Sequence, residues 1–201
     1  MYRLLKLLFI VLACSALQAL GGSIINGREV PENSLPYMAY VEDKIEGYYC
    51  GGFLIKKDIV LTAAHCDFKP TTIQPIRLPN KRTERIKDNA ACFVAGWGAT
   101  GRRARGSQLR EVDVSTINRK TCEKAWRNKL PANIICAGGY RTKKGFCQGD
   151  SGGPLECNKM AVGIASFNNH TCHYPDVPNV YTDIAKFLPW INNPKRKCKN
   201  D

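Results

Sequence analysis

The chain has 201 residues, with 30 Lys and Arg against 17 Asp and Glu and a net charge of +13. That length suits one or two compact units. A surface so basic favours polyanions (sulfated glycans, acidic proteins, nucleic acid non-specifically), but no zinc-finger or RNA-binding motif is present, which excludes nucleic acid as a specific partner.

In chain order, residues 1–21 read as a signal peptide. Arg3 and Lys6 give a basic start, Leu7 to Leu12 an apolar run, and Ala19 and Gly21 are small residues spaced for cleavage after Gly21. The apolar run is too short to span a bilayer and no later segment is long enough, so no membrane anchor is expected. Ten cysteines point to an oxidising compartment. Cys14 leaves with the signal, and the odd remainder requires one thiol to stay unpaired or to bridge another chain.

From Ile24 onward, short apolar runs alternate with Gly, Pro and Asn. Residues 36–41, 52–55, 59–63, 91–95, 111–117, 161–167 and 179–182 read as strands, a density that predicts an all-β barrel or sandwich. Ile184, Phe187, Leu188 and Ile191 recur at helical spacing, so a helix is expected over 183–192, made irregular by Pro189. Basic clusters stand at Lys81-Arg82, Arg102 to Arg105, Lys143-Lys144 and Lys195 to Lys197. No repeat, low-complexity tract or Ser/Gly linker divides the chain.

Two motifs carry chemistry: Thr62-Ala63-Ala64-His65-Cys66 and Gly149-Asp150-Ser151-Gly152-Gly153-Pro154. Acyl transfer needs a nucleophile, a base within hydrogen-bond reach and donors for the developing oxyanion. Glycines around Ser151 permit a tight turn that lifts the hydroxyl out and lets the N–H groups of Gly149 and Ser151 point to one spot. His65 is the candidate base. His170 and His173 lie in a loop centred on Cys172, with no motif around them, and read as surface residues. Nothing suggests a metal or cofactor.

These motifs resemble those of the trypsin/chymotrypsin-like serine proteases, and the likeness extends over residues 24–193. It implies a chymotrypsin-like double β-barrel with a C-terminal helix, residues 24–79 belonging to the first barrel and 80–193 to the second, followed by a basic tail at 194–201. It implies protein or peptide substrates, His65 as base and Ser151 as nucleophile. Ile24-Ile25-Asn26-Gly27 resembles the mature amino terminus of the family, with Asn26 where Gly is usual. The resemblance therefore implies an activation ion pair between a freed Ile24 amino group and Asp150. It also implies disulfides Cys50–Cys66, Cys92–Cys157, Cys122–Cys136 and Cys147–Cys172, leaving Cys198 as the odd thiol in a chain expected to be monomeric. Within the family, residues 36–41 and 50–55 and a two-residue propeptide, Gly22-Ser23, are similar to the granule proteases, the granzymes and mast-cell proteases. This implies secretion or granule storage, with sulfated proteoglycan or heparin as a polyanionic partner.

The family's primary pocket places its floor six residues before the nucleophile, at Gly145. Without an acid there, cleavage after Lys or Arg is disfavoured, since the substrate cation has no buried partner. Ser166, Phe167 and Asn168 match the strand that pairs with substrate, and Asn168 and Asn179 stand where many relatives have Gly on the pocket walls. Phe146 reads as packing. Asn169-His170-Thr171 is a glycosylation sequon at the rim.

The spacing departs from the family. His65 and Ser151 are 86 positions apart, whereas the best-known triad of this family has about 138, with its Asp about 45 after the base. About 50 residues are therefore absent, and the first barrel is expected to be incomplete. Asp67, Asp88, Asp113 and Asp150 are the acids between the motifs, and none has the apolar context of the orienting Asp. Residues before about Phe68 match one family segment and those after about Ile73 a much later one, a join like a skipped exon or misassembled gene model. Three readings follow: an endopeptidase impaired by loss of the Asp, an inactive secreted homologue that binds sulfated glycans, or a product that does not fold.

Overall fold

The strand β6 (Arg110–Ile117) shows how this chain builds its core. Val112, Val114 and Thr116 are buried while Asp113 and Ser115 between them face water, the period-two pattern of a half-buried strand. The structure, a computed structural model, describes residues 24–42, 49–57, 59–63, 66, 75–80, 86–98, 108–127, 129–169 and 172–193. In it, β6 lies in a sheet with β1 (Arg28–Glu29), β5 (Ala91–Gly96), β7 (Ile134–Ala137), β8 (Pro154–Cys157), β9 (Met160–Phe167) and β10 (Asn179–Asp183), in the order β1-β6-β5-β8-β9-β10-β7. Thr116 and Ile117 of β6 also pair with Ala137 and Cys136 of β7, which closes six of these strands into a barrel.

The remaining strands, β2 (Met38–Glu42), β3 (Tyr49–Lys56) and β4 (Ile59–Thr62), form a separate three-stranded sheet in the order β2-β3-β4. The seven expected strands all form, with shifted ends. Three strands escaped the sequence reading. β1 is two residues long, β7 is short, and β8 contains Pro154 and a buried Glu156, so neither period nor composition marks it. Helix α1 (Arg119–Ala125) was also missed, because it buries only Cys122 and has no apolar stripe. Its start is set by Asn118, whose side chain accepts the Lys120 N–H at 2.9 Å. The expected terminal helix is α2 (Ile184–Ile191), capped by Asp183, which accepts the Ala185 N–H at 3.0 Å.

Two apolar clusters hold these elements. The barrel core contains Val94, Val112, Val114, Phe146, Leu155, Val162 and Tyr181, with Phe146 and Tyr181 edge to face at 5.2 Å. The three-stranded sheet has no opposing half of its own among the described residues. It buries Phe53 and Leu61 against Ile76, the outer side chains Ala161 and Ile164 of β9, and Ile184 and Leu188 of α2. The segment that follows the shortened stretch joins this sheet directly, Ile76 donating its N–H to the Leu54 carbonyl at 2.8 Å. Ile24 and β1 belong to the barrel while α2 completes the other core, so the two parts interlock. Four disulfides pair the cysteines as the family resemblance implies. Cys92–Cys157 closes the longest loop, at a sequence separation of 65, worth about 4 kcal/mol in chain-entropy terms. Cys198 lies outside the described residues.

Candidate active site

The Ser151 loop is shaped by what surrounds its glycines. Gly149 has φ +88°, a left-handed conformation, and a Cβ there would fall 2.2 Å from the Tyr49 ring. At Gly152 (φ +84°) it would fall 2.0 Å from the Gly51 carbonyl oxygen. No other residue fits either place. The loop is bound to the small sheet by Gly51, which donates its N–H to the Ser151 carbonyl at 2.7 Å. The N–H groups of Asp150, Gly152 and Gly153 donate to the carbonyls of Cys147, Ala165 and Asp150 at 2.9–3.0 Å. Neither Gly149 nor Ser151 donates its N–H to a described backbone group. Strand β4 leads to the same loop, since a Cβ on Gly152 would also stand 2.3 Å from Thr62 Oγ1 and 3.1 Å from Ala63 N. His65, two residues further, lies outside the described residues, as do Asp67 and His170.

Asp150 anchors the loop from beneath. Its fully buried carboxylate accepts the Gly98 N–H at 2.7 Å and the Cys147 N–H at 2.8 Å. Gly96 and Gly98 flank Trp97 because a Cβ on either would collide with this carboxylate, at 2.1 and 2.5 Å. Burial pushes its pKa from 3.8 up to about 7, against the opposing pull of the two N–H donors. Ile24 is buried in the barrel core, Ile25 donates its N–H to the Gly145 carbonyl at 3.1 Å, and the Asn26 side chain donates to the Lys143 carbonyl. Asn26 has φ +53°. Asn tolerates that left-handed geometry better than most residues, which accounts for its standing where relatives have Gly.

Ser151 opens onto a cleft of about 400 Å³ lined also by Phe146, Cys147, Gln148, Ser166, Phe167 and Asn168. Phe146 is thus a wall of the cleft as well as a core residue. Gly145 and Asn179 are not in this lining. The space beside Gly145 is taken by Asn179 and Tyr174, whose atoms would stand 2.3 and 2.6 Å from a Cβ on that glycine. The Tyr174 hydroxyl accepts from Asn168 Nδ2 (2.9 Å) and Asn179 Nδ2 (2.8 Å) and donates to the Phe146 carbonyl (2.6 Å), while Asn179 Oδ1 accepts the Phe146 N–H (3.1 Å). Burial drives the Tyr174 hydroxyl pKa well above its ordinary value, so it stays a neutral donor. The sequence gives no sign of Tyr174's role, for nothing in its neighbours marks it as part of the pocket. Phe167 is held from outside by Trp126, edge to face at 5.4 Å.

The other acids lie elsewhere. Asp113 faces water on β6 and pairs with Arg28 at 2.7 Å, which holds its carboxyl below the usual range. Asp88 accepts from Asn118 Nδ2 at 2.7 Å. Both line a separate groove of about 1010 Å³ that contains none of the Ser151 loop. In that groove Asp88, Asp113 and Glu156 balance Arg141, Lys144 and Lys159, so it is not a basic channel. No cluster of potential metal ligands occurs among the described residues.

A closed β-barrel beside a partial sheet, with a glycine-framed serine loop over a buried Asp, defines the chain as a member of the trypsin family. The family model described as Trypsin matches it in two segments, residues 24–71 and 68–191, which meet where the sequence spacing shortens. Among curated proteins, mast cell protease 3 of Ovis aries is 33% identical over 251 positions, covering 98% of each chain. Granzyme B(G,H) of Mus musculus is 32% identical (93% of this chain, 97% of the relative), and cathepsin G of Homo sapiens is 32% identical (89% of each). An alignment of 251 positions against 201 residues leaves at least 50 positions of the sheep protein without a counterpart here. The fold is similar to solved structures of GrC (TM-score 0.72, 29% identity, 84% of this chain and 97% of that one) and of neuropsin, a serine protease of mouse brain (TM-score 0.74, 26% identity, 84% and 98%). The chain is a chymotrypsin-like double barrel whose first barrel is incomplete.

Proposed function

We propose that the chain is a secreted or granule-stored serine endopeptidase, with Ser151 as nucleophile, His65 as base and the Gly149 and Ser151 N–H groups as oxyanion donors. The observation that carries this reading is the Ser151 loop. Its glycines hold a conformation other residues cannot adopt, its two candidate donors are not spent on described backbone groups, and its serine opens onto a cleft. The leader at 1–21 and four disulfides support passage through an oxidising compartment. Removal of Gly22-Ser23 would free the Ile24 amino group as the cationic partner of Asp150. The space beside Gly145 is taken by the neutral side chains of Asn179 and Tyr174, which argues against substrates with Lys or Arg at the cleaved position.

No orienting carboxylate reaches the Ser151 cleft from Asp88 or Asp113. Loss of that group costs about 10⁴-fold in turnover where it has been removed alone, so the activity is reduced in proportion. The test compares the chain cleaved before Ile24 with its Ser151→Ala variant on a mixed peptide library. Slow hydrolysis by the first and none by the second is expected; equal rates sink the enzyme reading. Mature residues 24–201 retain 28 basic and 17 acidic residues, which supports a sulfated glycan as partner. Retention on heparin that falls steeply with salt is expected.

A further inference from the structure

We propose that Asn169 carries an N-linked oligosaccharide and that this group screens the mouth of the Ser151 cleft from folded proteins while leaving it open to small or extended ligands. Asn169-His170-Thr171 is the chain's single Asn-X-Ser/Thr sequon. The structure shows why its position matters. Asn169 is exposed, yet it directly follows Phe167 and Asn168, which both line the cleft. Consecutive Cα atoms are about 3.8 Å apart, so the attachment residue stands one step from the cleft wall.

That wall is fixed. The Asn168 amide donates to the Phe146 carbonyl at 2.9 Å and to the Tyr174 hydroxyl at 2.9 Å, and Phe167 rests edge-on against Trp126. Three residues beyond Asn169, Cys172 is joined to Cys147, another cleft-lining residue, with Cα atoms 5.6 Å apart. Asn169 thus follows one fixed cleft residue, Asn168, and precedes by three positions a cysteine bonded to another, Cys147. A bulky hydrophilic group attached there stays over the rim instead of drifting across the surface. The four disulfides belong to the same secretory environment in which such groups are added.

In the modification, the Asn169 amide nitrogen bonds to the anomeric carbon of an oligosaccharide presented on a lipid diphosphate. The lipid diphosphate leaves and the amide gives up one proton.

The screening half rests on the cleft being the substrate site, so the experiment avoids catalysis. The full chain, as Cys198→Ser with Ser151→Cys, is made in cells whose secretory pathway adds N-linked glycans. Mass spectrometry before and after peptide N-glycosidase should show carbohydrate lost and Asn169 converted to Asp. Thr171→Ala abolishes the modification and Thr171→Ser retains it. The Ser151→Cys thiol is then labelled with a small maleimide and with one carrying a long polyethylene glycol chain. The ratio of large to small reagent rates should rise several-fold when the glycan is removed. An unmodified Asn169 overturns the proposal, and so does a modified Asn169 with an unchanged ratio. If Ser151→Ala shows the chain to be no protease, both readouts still stand.

Discussion

Asp150 makes the stability of the uncleaved chain depend on pH in a direction opposite to that of most acids. Its carboxylate is buried with two N–H donors and no described cation, and its pKa is raised from 3.8 to about 7. A raised acid binds its proton more tightly in the folded state, so its contribution is fully present below about pH 4 and is lost as pH climbs towards 7. The interval corresponds to about 4 kcal/mol. Glu156 is also raised by burial and Asp113 is lowered by Arg28, so the Asp150 contribution must be isolated by comparison. Asp150→Asn keeps the shape but turns an amide NH₂ towards one of two N–H donors, a cost of about 1–3 kcal/mol that does not vary with pH. Urea unfolding of both forms at intervals from pH 4 to 7 should give curves that converge and then cross as pH rises, because the wild-type loss exceeds the fixed cost of the variant. Cleavage before Ile24 supplies a cation and should abolish the fall. Parallel curves for wild type and Asp150→Asn would falsify the reasoning.

Tyr174→Phe removes the hydroxyl that accepts from the buried Asn179 amide and leaves the Asn168 amide with the Phe146 carbonyl, so it should cost about 1–3 kcal/mol in denaturant unfolding. Tyr181→Phe serves as its contrast: that hydroxyl is fully buried with no partner among the described residues, and its removal should be neutral or stabilising. Tyr37 donates to the buried Glu156 across the junction of the two cores and holds down a pKa that burial raises. Tyr37→Phe should therefore cost about 1–3 kcal/mol at pH 7 and visibly less at pH 4, where Glu156 is protonated in either form.

Much of the fold is carried by neighbours in sequence. Alternation along residues 111–117 and the helical spacing of Ile184, Leu188 and Ile191 each express a local period, and both elements form where expected. β7 was not legible because it is only four residues long; β8 was not, because a strand buried on both faces has no alternation to read and a buried Glu156 looks like a surface residue until Tyr37 meets it.

The candidate site divides the same way. The glycines at 149 and 152 announce a tight serine loop by composition, and the spacing from His65 to Ser151 announces a missing block. By itself, then, the sequence determined the family, the disulfide pairs and the place where the first barrel is cut short. Only the tertiary structure decided what fills the space behind the cleft. Tyr174 and Asn179 reach Phe146 across separations of 28 and 33 residues, and no local pattern encodes that meeting. It likewise decided how the shortened half keeps a core. Phe53 and Leu61 find Ile164, Ile184 and Leu188 on elements more than 100 residues away, because apolar area removed from water stabilises the fold wherever along the chain it comes from.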